Sequence, residues 1–316
     1  MDRRSLLQGT VTGLLGLTLG PLARAASAAT GTGSTAPSGM ARTQRLTETI
    51  SVVSGVEGNV VALTTPDGLL LVDSGSPGDR DTLARELRQL PGDGHVRTLI
   101  NTHYHADQTG SNAAFGSHGA TIIAQAKTKA WIATDHYDPA EDRYVKAMPR
   151  AAWPTQVFYS TGALTAASEH VEFGHLLAAH TQGDCYVHFR DSNVLAVGHV
   201  ASPAADPQLD WFAGGWLGGR LDALALLHRL ANDETRIVPA FGPVIPRSEL
   251  QAEQDLLQTV YTRMVDLLRK GYSAQDMLDA GVLNGLARPF RDPRKFVYDA
   301  FKGLWGFEDA LAPNIV

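Results

Sequence analysis

The residues best suited to chemistry lie together at positions 101–115, NTHYHADQTGSNAAF. In an extended segment successive side chains alternate sides, so His103, His105 and Asp107 project to one side, directly after an apolar strand, VRTLI and Asn101. Three ligand-type side chains at that spacing can converge on one point, as metal ligands do. A polar loop that happens to hold two histidines is the competing explanation. It leaves unexplained the glycine and small residues that follow, which suit a tight turn from strand to helix.

Such a segment needs a framework, and the rest of the chain supplies one. From Arg45 onward short apolar runs alternate with helical patterns, which argues for a layered α/β domain. NVVALTTPDGLLLVDSG (59–75) reads as strand, turn at Pro66-Asp67-Gly68, and strand. DRDTLARELRQL (79–90) reads as an amphipathic helix with Leu83, Leu87 and Leu90 on one face, and TIIAQ (121–125) as a further strand. The second half repeats the plan, with CYVHFRDSNVLAVGHV (185–200) as strand, turn and strand, and LDALALLHRLAN (221–232) as a helix. Two such halves packed sheet to sheet bring the ends of LVDSG and LAVGHV to one edge, where a site is expected. Residues 248–271 closed by Gly271, 273–281 capped by Ser273, and 294–305 read as packing helices without chemistry.

Composition narrows the classes further. The chain has 316 residues, 33 acidic and 27 basic, a formal charge of -6 and 44% hydrophobic residues, which excludes disorder, collagen and multispan membrane proteins. The missing Lys/Arg excess argues against a nucleic-acid partner. A single cysteine, Cys185, excludes intrachain disulfides and multi-thiolate metal sites, and it reads as a buried inert thiol. Residues 1–28 read as a signal peptide: Arg3-Arg4 precede a weakly apolar run and alanine-rich sites such as Ala23-Arg24-Ala25, similar to twin-arginine export leaders. The run is too interrupted for a spanning helix, so stable membrane insertion after its removal is not expected. Losing these residues removes three arginines and one aspartate, a net +2, and takes -6 to -8. Residues 29–42 read as a flexible linker and 43–316 as the folded domain, including the C-terminal helices. A periplasmic or secreted location follows, and export of already folded proteins by that route suits a chain that loads a metal first.

The chain resembles the metallo-β-lactamase superfamily, whose first motif is H-x-H-x-D-H at a strand end. VDSG (72–75), the histidine segment, AHTQGD (179–184), LAVGHV (195–200) and VPAFGP (238–243) occur in family order. The resemblance implies an α/β fold, the four-layer αββα sandwich of that family, here with extra C-terminal helices. It matches His103, His105 and His180 to the three histidines of the first metal site, and it implies Zn²⁺ with a fourth position for water. Zinc lowers the pKa of such a water to about 7, giving a hydroxide able to attack a carbonyl. Asp73 matches a position that shapes the site from behind.

The chain departs from the pattern at three places. Gln108 stands where the family has histidine, His199 where it has a bridging aspartate, and Phe241 where it has a late histidine. Closely spaced dications repel, and carboxylates offset that repulsion. Exchanging one for an imidazole, and an imidazole for a phenyl ring, removes charge and a ligand. One metal per chain is therefore expected, with Asp107 as the catalytic residue that steers or deprotonates the water. A weak second site from Asp107, Gln108 and His199 is the remaining option. The loop LDWFAGGWLGGR (209–220) offers Trp211, Phe212 and Trp216 either to a substrate cleft or to the core, and WIATDHYDPAEDRYVKAMPRAAWP (131–154) reads as a long connection over the site. The expected function is an exported zinc-dependent hydrolase of a small-molecule ester, lactone, amide or thioester. The alternatives are a catalytically degenerate metal- or ligand-binding relative and, last, a mononuclear iron oxygenase, for which His199 replaces the expected carboxylate.

Overall fold

The computed structural model of the protein describes residues 41–92, 94–139 and 142–311. The leader at 1–28 and the linker up to residue 40 lie outside the described residues.

The first sheet begins with the antiparallel strands β1 (Arg42–Arg45), β2 (Ile50–Ser54), β3 (Val60–Thr65) and β4 (Gly68–Val72). Arg42, read from the sequence as linker, already pairs with Ser54. After helix α1 (Arg80–Leu87), β5 (Val96–Asn101) joins β4 in parallel. Two short helices, α2 (Ala106–Thr109) and α3 (Asn112–Ser117), lead to β6 (Thr121–Gln125), parallel to β5, and then to α4 (Ala126–Ala133). The segment read as a long connection holds the end of α4 and a small hairpin, β7 (His136–Asp138) and β8 (Arg143–Val145). Strand β9 (Gln156–Phe158) closes the first sheet.

The second sheet has the order β10 (Thr161–Ala166), β11 (Glu169–His175), β12 (Cys185–Phe189), β13 (Val194–Gly198) and β14 (Arg236–Pro239). All its pairings are antiparallel except β13 with β14. Helices α5 (Leu217–Leu230), α6 (Arg247–Leu268), α7 (Ala274–Asp279) and α8 (Pro293–Leu311) belong to this half. α5 begins four residues before the expected Leu221. Gly218 and Gly219 enter its first turn because any Cβ there would strike the Trp216 ring or the Ala178 carbonyl.

Strand period two explains why the central strands of both sheets are apolar on both faces. On β4, Leu70 and Val72 face the second sheet while Leu69 and Leu71 face α1; on β13, Val194 and Ala196 face inward and Leu195 and Val197 face the helices. Three cores result: one between the sheets, one under α1, and one under α5, α6 and α8. The layers are thus helix, sheet, sheet, helix, as expected. Among the described residues no helix is long and apolar enough to cross a membrane.

The parallel strands have their carboxyl ends at one edge, where open α/β sheets place their sites. β4 delivers Asp73, β5 delivers His103, β13 delivers His199 and β14 delivers Phe241. Gly198 allows the two sheets to meet there: its φ is +55°, and a Cβ would lie 2.8 Å from Thr102 Oγ1.

Candidate metal centre

After β5 the chain turns sharply, and Asp73 braces the turn. It accepts bonds from Thr102 N and Thr102 Oγ1, each at 2.7 Å, and it does so from a left-handed backbone (φ +64°). Because the Thr102 hydrogen goes to Asp73, the hydroxyl oxygen accepts from His103 Nδ1 at 3.1 Å. That leaves His103 Nε2 as a lone pair, fully buried and without a partner. Burial pushes the Asp73 carboxyl up to about 8 against its Thr102 bonds. A cation among the imidazoles would favour its ionised form.

The other two rings are oriented by the same logic. His180 Nδ1 donates to the Gln208 carbonyl at 3.0 Å, so Nε2 carries the lone pair. Its backbone is held by Asp184, which accepts from His180 N, Thr181 N and Thr181 Oγ1. Burial raises Asp184 to about 7, opposed by these bonds. His105 Nε2 donates to Asp210 Oδ2 at 3.0 Å, so its Nδ1 carries the lone pair. Asp210 also accepts from the Tyr104 hydroxyl at 2.5 Å and from Ala213 N at 2.9 Å.

Two acceptor nitrogens therefore face each other: His105 Nδ1 and His180 Nε2 are 3.0 Å apart. Ligands at zinc distances of 2.0–2.1 Å on a tetrahedron lie roughly 3.3 Å apart, close to this spacing. The three rings stand edge to face at 4.8–4.9 Å between centroids. Burial, then the charges of His199 and His105, hold His103 well below its ordinary value. Burial and the neighbouring imidazoles do the same for His180. His105 is raised: burial opposes its charge, but Asp210, then Asp107 and Asp184, outweigh it. Two neutral imidazoles beside one surrounded by carboxylates form a basin for a cation, and the donor set fits a divalent metal that accepts nitrogen ligands.

Asp107 lies beside this basin. A carboxylate oxygen of Asp107 and one nitrogen each from His103 and His105 lie within 4.8 Å of one another, as do nitrogens of His103, His180 and His199. Asp107 Oδ2 accepts from His199 Nε2 at 3.1 Å, whereas Oδ1 is buried and unpartnered. Burial pushes Asp107 up, yet His199, then His103 and His105, keep it well below the usual carboxylate range. The His199 ring stacks on His180 at 4.6 Å and meets Phe241 at 5.1 Å. Gln108, fully buried, turns its amide under Gly58 with no hydrogen-bond partner on either polar atom. Cys185 is buried beneath the turn, bonded to the Asn101 carbonyl, and burial pushes its thiol far up.

The loop at 209–216 runs along the His180 segment: Asp210 N donates to His180 O, Gln182 N to Ala213 O, and Trp216 N to Ala178 O. Gly215 permits the approach, since a Cβ there would lie 1.9 Å from His180 O. Trp211 and Phe212 stay near the surface. Trp216 does not join them: it packs on the α5–α6–α8 core against Tyr261 and Gly303, so the core option holds for this residue. Sequence reasoning passed over Asp210 and Tyr104. Asp210 has no ligand spacing, and its one signal is its place in a glycine-rich aromatic loop; period two sends Tyr104 away from His103, yet the turn returns its ring to 4.4 Å from His105.

Residues 53–252 match the model of the metallo-beta-lactamase superfamily, well over half of the chain. The protein belongs to that superfamily. Among solved structures, a metallo-beta-lactamase from Pontibacter korlensis is 17% identical with a TM-score of 0.56, over 69% of this chain and 99% of its own. The inverting sec-alkylsulfatase Pisa1 from Pseudomonas sp. is 12% identical with a TM-score of 0.62, over 87% of this chain and 52% of its own. This chain thus spans about half the alkylsulfatase. The DIM-1 metallo-beta-lactamase is 14% identical with a TM-score of 0.55, over 70% and 98%. No curated protein sequence matches. At these identities the superfamily member shares the hydrolase fold of its neighbours, and its histidine cluster is a candidate to hold a metal.

Proposed function

We propose that the protein is a zinc-dependent hydrolase of small-molecule esters, lactones, amides or thioesters, with one metal per chain held by His103, His105 and His180. The observation that supports it most is the facing pair of ring nitrogens on His105 and His180, each with its proton committed elsewhere. Zinc bound there supplies Lewis acidity and a water acidified to near neutrality. Asp107 would steer a water there and accept its proton on Oδ1, because Oδ2 is already held by His199 while Oδ1 is buried and has no partner. His199 holds Asp107 Oδ2 on the side where the family has a second metal, and Phe241 gives that side no ligand. The leader and acidic mature charge support a periplasmic or secreted site of action.

Zinc titration of the apoprotein followed by a panel of neutral ester, lactone, thioester and β-lactam substrates tests this reading. Turnover that returns with one zinc per chain supports it. Stoichiometric zinc with no turnover across the panel favours a metal-binding relative without catalysis, the reading that the Gln108, His199 and Phe241 replacements support.

A further inference from the structure

A chain of aromatic rings leads from His105 outward. The Tyr104 ring lies 4.4 Å from His105, and Trp131 of α4 stacks on Tyr104 at 5.1 Å with 18° between planes. Phe212 meets Trp131 at 5.8 Å, and His136 stands edge-on to Trp131 at 4.8 Å. Phe212 is 43% exposed, the His105 side chain keeps 27% of its surface, and Tyr104, Trp131 and Phe212 lie outside all three cores. These rings come from three distant segments and share no packing task with the cores. Asp210 grips the Tyr104 hydroxyl and His105 together, so the inner end of the row is fixed relative to the candidate metal ligands.

The charges around this row are one-sided. Near His105 stand the carboxylates of Asp107, Asp184 and Asp210. Of the basic side chains of the region, Arg220 pairs with Glu253, Lys146 with Asp135, and Lys302 lies over the faces of Trp211 and Tyr298. Among the described residues no lysine or arginine forms an ion pair with Asp107, Asp184 or Asp210. Even with a dication held by the three imidazoles, three carboxylates against two positive charges leave a net negative charge that disfavours an anionic group next to the reacting carbonyl, while an uncharged ring finds a stacking surface.

We propose that the Tyr104–Trp131–Phe212 row is the binding platform for an aromatic ring of the substrate, which makes the substrate a neutral aryl-bearing ester. This rests on the hydrolase reading and narrows its substrate class. Ring stacking contributes beyond buried area by an amount equivalent to roughly 2- to 10-fold in binding per ring.

The test uses the zinc-loaded full chain with methyl phenylacetate, methyl hexanoate and the monomethyl ester of phenylmalonic acid. In parallel, calorimetric titration with benzyl methyl ketone, an aryl carbonyl compound that cannot be hydrolysed, reads binding without turnover. Expected are a kcat/KM for the phenylacetate at least several-fold above the hexanoate, a loss of tenfold or more for the carboxylated ester, and ketone binding weakened roughly 2- to 10-fold in both Trp131→Leu and Phe212→Ala. Those variants raise KM for the aryl ester more than they lower kcat. Phe212, at the surface, keeps the test open if Trp131→Leu fails to fold. Ketone binding that depends on both rings, with no ester turned over, retains the platform and removes the hydrolase reading. Ester turnover with no aryl preference and variants that bind the ketone like wild type removes the platform and leaves the hydrolase standing.

Discussion

Replacing Asp210 by asparagine isolates how His105 is oriented. Asp210 receives three donors: His105 Nε2 and Tyr104 Oη on Oδ2, and Ala213 N on Oδ1. An amide has one acceptor oxygen. If that oxygen faces His105 and Tyr104, the NH₂ group confronts Ala213 N–H, and a part-buried donor loses its partner at about 1–3 kcal/mol. If the oxygen stays with Ala213, the NH₂ faces His105 Nε2, which must become an acceptor. The proton then moves to Nδ1, which points at His180 Nε2 3.0 Å away, and the lone pair for the cation is gone. Loss of such an outer partner typically lowers metal affinity 10- to 100-fold, or about 1.4–2.7 kcal/mol. Asp210→Ala imposes no donor, and His105 keeps its choice of tautomer. Competitive zinc titration against a chromophoric chelator, with thermal unfolding as the fold control, is expected to show Asp210→Asn binding at least tenfold more weakly than wild type and no better than Asp210→Ala. A folded Asp210→Asn protein within threefold of wild type would refute the tautomer argument.

Asp107→Asn leaves the three imidazoles intact, so zinc content is expected to hold while kcat falls roughly 10²- to 10⁴-fold in steady-state kinetics. Arg220 is fully buried, donating to Glu253, Ser202 and the same Gln208 carbonyl that orients His180. Arg220→Met strands the Glu253 charge and is expected to destabilise by about 3–5 kcal/mol in urea unfolding, with Arg220→Met/Glu253→Leu recovering most of it. Gly215→Ala forces the 209–216 loop off His180 and is expected to cost about 1–3 kcal/mol and to weaken zinc binding in the same titration. His188 on β12 is held down to about 4 by burial, then by Arg190. The unfolded chain takes up that proton near 6.5 and the folded chain only near 4, so the stability it carries is whole above pH 6.5 and drains away toward pH 4. The loss is roughly 3 kcal/mol at most, and His188→Gln should flatten the unfolding profile over that interval.

The architecture was legible because its strands announce themselves twice. LLLV and VLAVG are apolar at every position, as strands buried on both faces must be, and the polar residues that follow them, Asp73 and His199, mark the carboxyl ends that meet at the site. His103, His105 and Asp107 do come together as their spacing suggested, but not along an extended strand: β5 ends at Asn101, the chain turns, and Asp107 lies in α2. His180 and His199 were legible only through motif order, since nothing in AHTQGD or GHV alone distinguishes a ligand from a core histidine. Of the orienting groups, Asp73 was legible through the motif, but those that hold the His105 and His180 rings were not. Gln208 acts through its carbonyl, which every residue has, and Asp210 reaches His105 only because a glycine lets one loop lie against another. The pairing of β7 with β8 escaped notice because both strands are three residues long and largely exposed, too short for a periodic pattern. Trp211, Phe212 and Trp216 share one glycine-rich loop, and only packing separates the core ring from the surface ones.

Elemental analysis of purified wild type and His105→Ala bears most directly on the three-imidazole site. Close to one zinc per wild-type chain, and a large loss in the variant with the fold intact, is the predicted result. Two tightly held metals, or equal zinc in both proteins, would contradict it.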